Sequence, residues 1–200
     1  NGRSTDMRTI QKLAKKYNIS VIEDAAQALL SKNIDGYLGT QSDIGCFSLS
    51  LTKCISTGQG GFAVTNNKDL AHKMRAIRTH GVENVMDPKK WMMLGFNFRF
   101  TDLQASIGIE QLRRIPERVK HLKELYSVYV EGLQDSPFKL IPVNLEEGEV
   151  PLYNEYLVED REEWIQCLDS VGIETRPFYP DIDKASYLPN FNQDFPNSTK

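Results

Sequence analysis

The chain has 200 residues, and its 24 lysines and arginines against 27 aspartates and glutamates give a formal charge of −3, which argues against a general nucleic-acid or membrane-surface binder. At 40% hydrophobic and 26% charged it has the composition of a globular chain and not of a disordered one, and no apolar run approaches the roughly 18 residues of a membrane span. Three cysteines, Cys46, Cys54 and Cys167, without CxxC spacing, make a disulfide framework or a cysteine-rich zinc site a poor reading and fit thiols in a reducing cytosol. The three histidines, His72, His80 and His121, are scattered and read as surface or structural. The chain opens NGRSTDMRTIQ, without the charge and apolar core of a signal peptide, and closes FPNSTK; both ends read as cut.

In chain order, Ile10, Leu13, Ala14 and Tyr17 form one apolar stripe of a helix, with Ser4, Thr5 or Asp6 as N-cap and Asn18 as a left-handed stop. A short apolar strand, Val21-Ile22, ends in Glu23-Asp24, so helix and strand read as half of a βαβ unit. The alternation over 46–51 predicts a second strand and Phe62 to Thr65 a third, with the tight turn Thr57-Gly58-Gln59-Gly60-Gly61 between them. A helix from Asp69 to about His80 is expected to bury Leu70, Met74 and Ile77. Residues 81–100, with Gly81, Pro88 and Gly95, form a long irregular stretch of the kind that serves function or an interface. Thr101-Asp102-Leu103-Gln104 matches a capping box. The helix it starts carries Leu103, Ile107, Gln111 and Ile115 on one face, and Pro116 should break it. A second helical stretch runs to about Leu133. Gln134-Asp135-Ser136-Pro137 marks a boundary, so residues 1–133 read as the larger domain and 134–200 as the start of a smaller one. Beyond it a strand over 150–158, a helix from Asp160 burying Trp164, Leu168 and Val171, and a strand over 173–179 are expected.

Ligand sites in α/β sheets lie at the carboxyl ends of strands. Asp24 stands at such an end, where a carboxylate can hold a cationic ring nitrogen or a metal, or simply cap a loop. Lys53 follows the 46–51 strand; desolvated there, its amine becomes a nucleophile, although most of the 14 lysines must be solvated. Ser48, Ser50, Thr52, Ser56 and Thr57 surround it with hydroxyls that, with glycine N–H groups, suit a phosphate. The GQGG turn is not a dinucleotide fingerprint, because its glycines lead into a strand and no GxGxxG or GxxxxGK[ST] is present. An aspartate, a lysine and a hydroxyl cup are the three things pyridoxal 5'-phosphate (PLP) needs, and the residues alone make that cofactor one reading among others.

The segments VIEDAAQA (21–28), FSLSLTKCISTGQGG (47–61), GFNFRFTDLQ (95–104) and GIETRPFY (172–179) occur in this order. Together they resemble the DegT/DnrJ/EryC1/StrS family of PLP-dependent nucleotide-sugar aminotransferases, over about residues 2–198. The resemblance implies an α/β fold, the PLP-dependent transferase fold type I. A large α/β/α sandwich domain and a small α+β C-terminal domain are both partly represented. It implies that Asp24 pairs with the pyridine nitrogen, that Gln27 lies beside the ring, that Lys53 is the Schiff-base lysine and proton carrier, and that Ser48 binds the phosphate. Asn97 resembles the asparagine reaching the cofactor phosphate of a neighbouring subunit, with Arg99 close by, and Tyr179 falls in the RPFY motif on the substrate side. A cytoplasmic homodimer with shared active sites follows, which makes 81–100 an interface arm. Nucleotide-sugar and L-glutamate substrates follow too, with no metal, nucleic acid or membrane partner.

Two positions depart from the family pattern. Gln59 replaces the glutamate of the common GEGG turn, removing a charge, and Ile182 stands where a histidine often follows the RPFY tyrosine. Lys53 itself is kept, whereas the family's sugar dehydratases carry histidine there, so aminotransfer is the expected reaction. A family member acting on a non-sugar cyclic ketone and a non-catalytic regulatory protein of the same fold are the competing expectations. The family's serine–glycine–threonine phosphate turn precedes Asn1 and its closing helix follows Lys200, so the chain is expected to be a segment of a longer enzyme.

Overall fold

A computed structural model describes residues 1–87, 89–189 and 195. Pro88, noted within the irregular stretch 81–100, and residues 196–200 of the closing FPNSTK, read as a cut end, lie outside the described residues. The chain forms two compact units, residues 1–157 and 158–200. The junction expected at 133/134 lies inside the first unit.

Helix α1 (Met7–Tyr17) starts where the Asp6 side chain accepts the Thr9 N–H and stops at Asn18, whose positive φ of 51° turns the chain. Its stripe is real, but Ile10, Leu13 and Tyr17 are exposed and only Met7 is buried. Strand β1 (Ile22–Asp24) runs parallel to β4 (Ile44–Ser48), with Asp24 opposite Cys46, and β5 (Gly61–Val64) adds antiparallel to β4. Between β1 and β4 lies a two-residue hairpin pair, β2 (Lys32–Asn33) and β3 (Gly36–Tyr37). The core of this region is Ala25, Ala28, Leu38 and Phe47, flanked by Leu29 and Val64, with the Phe47 and Phe62 rings stacked at 4.7 Å. Gly45 lies so close to the main chain of Gly39 that a Cβ would sit 1.7 Å from its carbonyl oxygen.

The strand expected over 46–51 ends at Ser48. Ser50 N–H donates back to Ser48 Oγ (3.3 Å) and Lys53 N–H to Ser50 O (3.1 Å). Local serine bonds therefore turn the chain out of the sheet while the alternation continues in the sequence, leaving Leu51 exposed.

Helix α2 (Lys68–Arg78) is capped by Asn67 and buries Ala76. Leu70 and Met74 are half-buried, and Ile77 is exposed rather than buried. The capping box forms as expected, with Thr101 and Gln104 satisfying each other's main-chain N–H groups at the start of α3 (Asp102–Arg113). Arg114 separates α3 from α4 (Ile115–Gly132), with Pro116 in the first turn of the second helix, where a missing N–H costs nothing. Tyr126 of α4 is buried and its hydroxyl accepts the Val143 N–H at 2.8 Å.

In the last stretch of the first unit, β6 (Lys139–Leu140) pairs antiparallel with β7 (Tyr156–Leu157). The strand expected over 150–158 is confined to these two residues of β7; ahead of it the Val150 N–H is taken by Ser31 Oγ and the Tyr153 N–H and C=O by the Asn1 carboxamide. In the second unit α5 (Arg161–Ser170) forms, but Trp164 and Leu168 are only half-buried and Val171 is exposed. The expected strand over 173–179 is absent from the described residues; that segment carries no ladder and is followed by a single 3-10 turn, Ile182–Lys184.

Candidate active site

The parallel register of β1 and β4 brings Asp24 and Ser48 to the same carboxyl edge, two residues apart in the ladder direction. Asp24 is exposed and its carboxylate accepts the Ala26 N–H at 3.1 Å, which fixes the turn leading to Gln27. Ser48 Oγ accepts from Ser50 N–H and donates to Ser50 Oγ at 3.1 Å, so two hydroxyls sit together where β4 ends. Lys53 is half-buried on the turn that follows. It lines one cleft with Ala26, Gln27, Leu29, Cys54, Val150 and Leu152.

The loop from Leu49 to Gly60 is closed on itself. Leu49 N–H donates to Gly60 O, Thr57 N–H to Leu49 O (both 2.9 Å), and the buried Thr57 hydroxyl to Gln59 O at 2.8 Å. Gln59, the residue departing from the family glutamate, thus contributes its carbonyl to the architecture. The same carbonyl accepts the Gln104 side-chain amide at 2.8 Å, which ties the start of α3 to the turn. Phe100 lies against Gly60, where a Cβ would come within 2.6 Å of its ring. Cys54, next to Lys53, is buried and its thiol is pushed up in pKa by that burial.

Asn97 and Arg99 are brought together, Arg99 Nε donating to Asn97 Oδ1 at 2.8 Å, on an exposed stretch bridged to Thr79. They lie apart in sequence from the Asp24–Ser48–Lys53 edge and are linked to its loop through Phe100 and Gln104. Tyr179 lies in the second unit, exposed, edge-on to Phe178 and beneath the Arg176 guanidinium at 5.7 Å.

Sequence reasoning missed the far wall of the cleft. Residues 149–155 are strapped to the opening residues of the chain. Asn1 exchanges two hydrogen bonds with the Tyr153 main chain at 2.8 Å, and Arg3 pairs with Glu155 at 2.5 Å. The buried Glu149 carboxylate accepts from Ser4 N–H (2.5 Å), Ser4 Oγ (2.8 Å) and Asn144 N–H (2.7 Å). Ser31 Oγ takes the Val150 N–H at 2.9 Å. Apart from the Asn144–Glu149 bond, these contacts span more than 100 residues, and no local pattern announces them.

The family model for the DegT/DnrJ/EryC1/StrS aminotransferase family matches residues 1–200. The chain belongs to this family. It is 35% identical over 198 residues to GDP-perosamine synthase of Caulobacter vibrioides, covering 90% of this chain and 50% of that protein. It is 37% identical over 129 residues to UDP-4-amino-4,6-dideoxy-N-acetyl-beta-L-altrosamine transaminase of Campylobacter jejuni, covering 64% and 34%. Among solved structures, it superposes on PseC of Helicobacter pylori, described as an aminotransferase involved in the biosynthesis of pseudoaminic acid, with a TM-score of 0.85 and 26% identity. That match covers 92% of this chain and 52% of PseC. The fold of this DegT-family chain is therefore the α/β fold of type I PLP-dependent aminotransferases, of which it represents about half. The chain spans half the length of the synthase it matches.

Proposed function

We propose that the protein is a PLP-dependent aminotransferase that moves an amino group from L-glutamate to a keto group of a nucleotide-linked deoxysugar, for amino-sugar or surface-polysaccharide synthesis. The observation that carries this reading is the convergence of Asp24 and Ser48 at one sheet edge with Lys53 on the turn directly after it. The GDP- and UDP-sugar names of the relatives support the substrate class.

The donor set fits the cofactor. An exposed carboxylate at a strand end suits a protonated ring nitrogen, a paired hydroxyl group suits a phosphate, and a half-buried amine in a cleft suits an aldehyde. When bound, PLP supplies the electron sink that lets an amino group leave one carbon and join another. Asp24 would hold the proton on the ring nitrogen. Ser48 would turn its hydroxyl proton from Ser50 Oγ to a phosphate oxygen. Gln27, on the same cleft, would orient the ring. Lys53 Nζ would anchor the cofactor and serve as the base that takes a proton from the donor's Cα in one half-reaction and delivers a proton to the acceptor carbon in the other. Overall, glutamate leaves as 2-oxoglutarate and the keto-sugar leaves as an amino-sugar.

We further infer a homodimer in which Asn97 and Arg99 reach a neighbouring subunit's site and Tyr179 contacts substrate. Support comes from the exposed apolar surface of the 94–109 stretch, in which Phe96 and Phe98 stack at 4.9 Å and Leu103 and Ile109 lie open. Free cysteines at 46, 54 and 167 support a cytoplasmic setting; among the described residues no helix is long and apolar enough to cross a membrane.

The reading is tested by supplying [15N]glutamate and PLP with a panel of keto nucleotide sugars and cyclic ketones, and weighing the products by mass spectrometry. Labelled nitrogen in a nucleotide sugar is expected. Transfer only to a cyclic ketone, or no conversion of glutamate to 2-oxoglutarate, overturns it.

A further inference from the structure

The turn that carries Lys53 is held firmly on one side and by a single residue on the other. Leu49 and Thr57 are bonded across the loop base. Leu51 and Thr52, by contrast, are exposed. Among the described residues, the hydrogen bonds that reach 51–53 from outside the turn come from Tyr153, whose hydroxyl lies 2.7 Å from Thr52 Oγ1 and 3.2 Å from Thr52 O. Tyr153 is itself immobilised. Its main-chain N–H and C=O are both taken by the Asn1 carboxamide, and the strap on either side of it is pinned by Glu149, Ser31 and the Arg3–Glu155 pair.

We propose that Tyr153 is a positioning residue for Lys53: its hydroxyl, braced by the strap 149–155, fixes the peptide unit that precedes Lys53 and so the direction in which the amine enters the cleft. The proposal rests on the reading of Lys53 as the reacting amine. A nitrogen that must meet first an aldehyde carbon and then a proton on a neighbouring carbon tolerates little displacement. Lys53 has a long flexible stem, so its aim is set where its main chain is held. Val150 and Leu152 of the same strap line the cleft beside Lys53, so one segment both walls the site and braces its amine.

The test compares wild type, Tyr153→Phe and Thr52→Ser. In cofactor-free protein, amide hydrogen exchange of the peptide covering 50–54 is expected to quicken on the order of 5-fold in Tyr153→Phe, the effect of one lost net hydrogen bond, with β4 and β5 amides unchanged. Thr52→Ser, which keeps the hydroxyl, is expected to exchange as wild type. In the loaded enzyme Tyr153→Phe is expected to lower kcat on the order of 10-fold with KM for glutamate unchanged. Exchange at the wild-type rate overturns the brace, and faster exchange with unchanged kcat overturns the positioning role. Covalent labelling of the wild type with PLP and borohydride separates the two levels: a label on another lysine overturns the reading of Lys53 beneath the proposal, whatever Tyr153 does to the turn.

Discussion

Replacing Glu149 by glutamine keeps shape and volume and removes one acceptor, so its cost can be worked from the hydrogen bonds. One carboxylate oxygen accepts Ser4 N–H and the Ser4 hydroxyl, and the other accepts Asn144 N–H. A glutamine offers one oxygen and one NH2. If the NH2 faces Asn144, two donors confront each other and that main-chain N–H is orphaned. If it faces Ser4, the hydroxyl can rotate to accept, but Ser4 N–H is orphaned instead. Either orientation leaves one main-chain donor unpaired, at about 1–3 kcal/mol, and turns the remaining bonds from charge-assisted to neutral, at about 1 kcal/mol more. The sum is about 2–4 kcal/mol, or roughly 5–15 °C in Tm for a protein of this size. Urea unfolding and scanning calorimetry of Glu149→Gln measure it. A variant melting within about 1 °C of the parent would refute the assignment of Glu149 as the buried clasp between the chain's opening residues and the strap.

Tyr156 supplies a pH prediction. Its pKa is pushed up to about 12, by burial first and by Tyr129 second, and its buried hydroxyl has no hydrogen-bond partner among the described residues. An acid whose folded pKa is raised keeps its proton longer in the folded state. Its contribution is therefore complete below the unfolded value near 10 and is lost as pH climbs from about 10 to 12. Urea midpoints should fall over that window in wild type and fall less in Tyr156→Phe, which at neutral pH should be as stable as the parent or more so; an equal alkaline fall in both proteins would contradict this. Gly45→Ala places a Cβ 1.7 Å from the Gly39 carbonyl oxygen. It should cost about 1–3 kcal/mol or more through forced separation of main chains, and wild-type stability in a thermal melt would sink that account.

The sequence was most legible where structure is local. Asp6, Thr101 with Gln104, and Asn18 sit at helix ends because their side chains or φ values satisfy groups a few residues away, and such signals survive in any context. Asp24 was legible from its strand-end position, whereas Ser48, expected inside a strand over 46–51, reaches the same edge because that strand ends early. Illegible features were of two kinds. Some arise where side chains compete with the ladder: Ser48 and Ser50 end β4 early although the alternation runs on to Leu51. Others depend on partners far away. A strand was expected over 150–158, yet the main chain at Val150 and Tyr153 is bonded to the Ser31 and Asn1 side chains, and the charges of Arg3 and Glu155 are unremarkable until the fold joins them. Burial was misread at Ile77 and Val171, which are exposed, and the apolar stripe of Ile10 and Leu13 is exposed as well, because periodicity shows which side of a helix is apolar and not what covers it.

The central claim is that Lys53 is the amine that holds PLP. Incubating the protein with PLP, reducing with borohydride and mapping the modified peptide reads that claim without requiring the sugar substrate. The account predicts a single modified residue, Lys53, with the label lost in Lys53→Ala. A label on a different lysine, or none on a protein that remains folded, would contradict it.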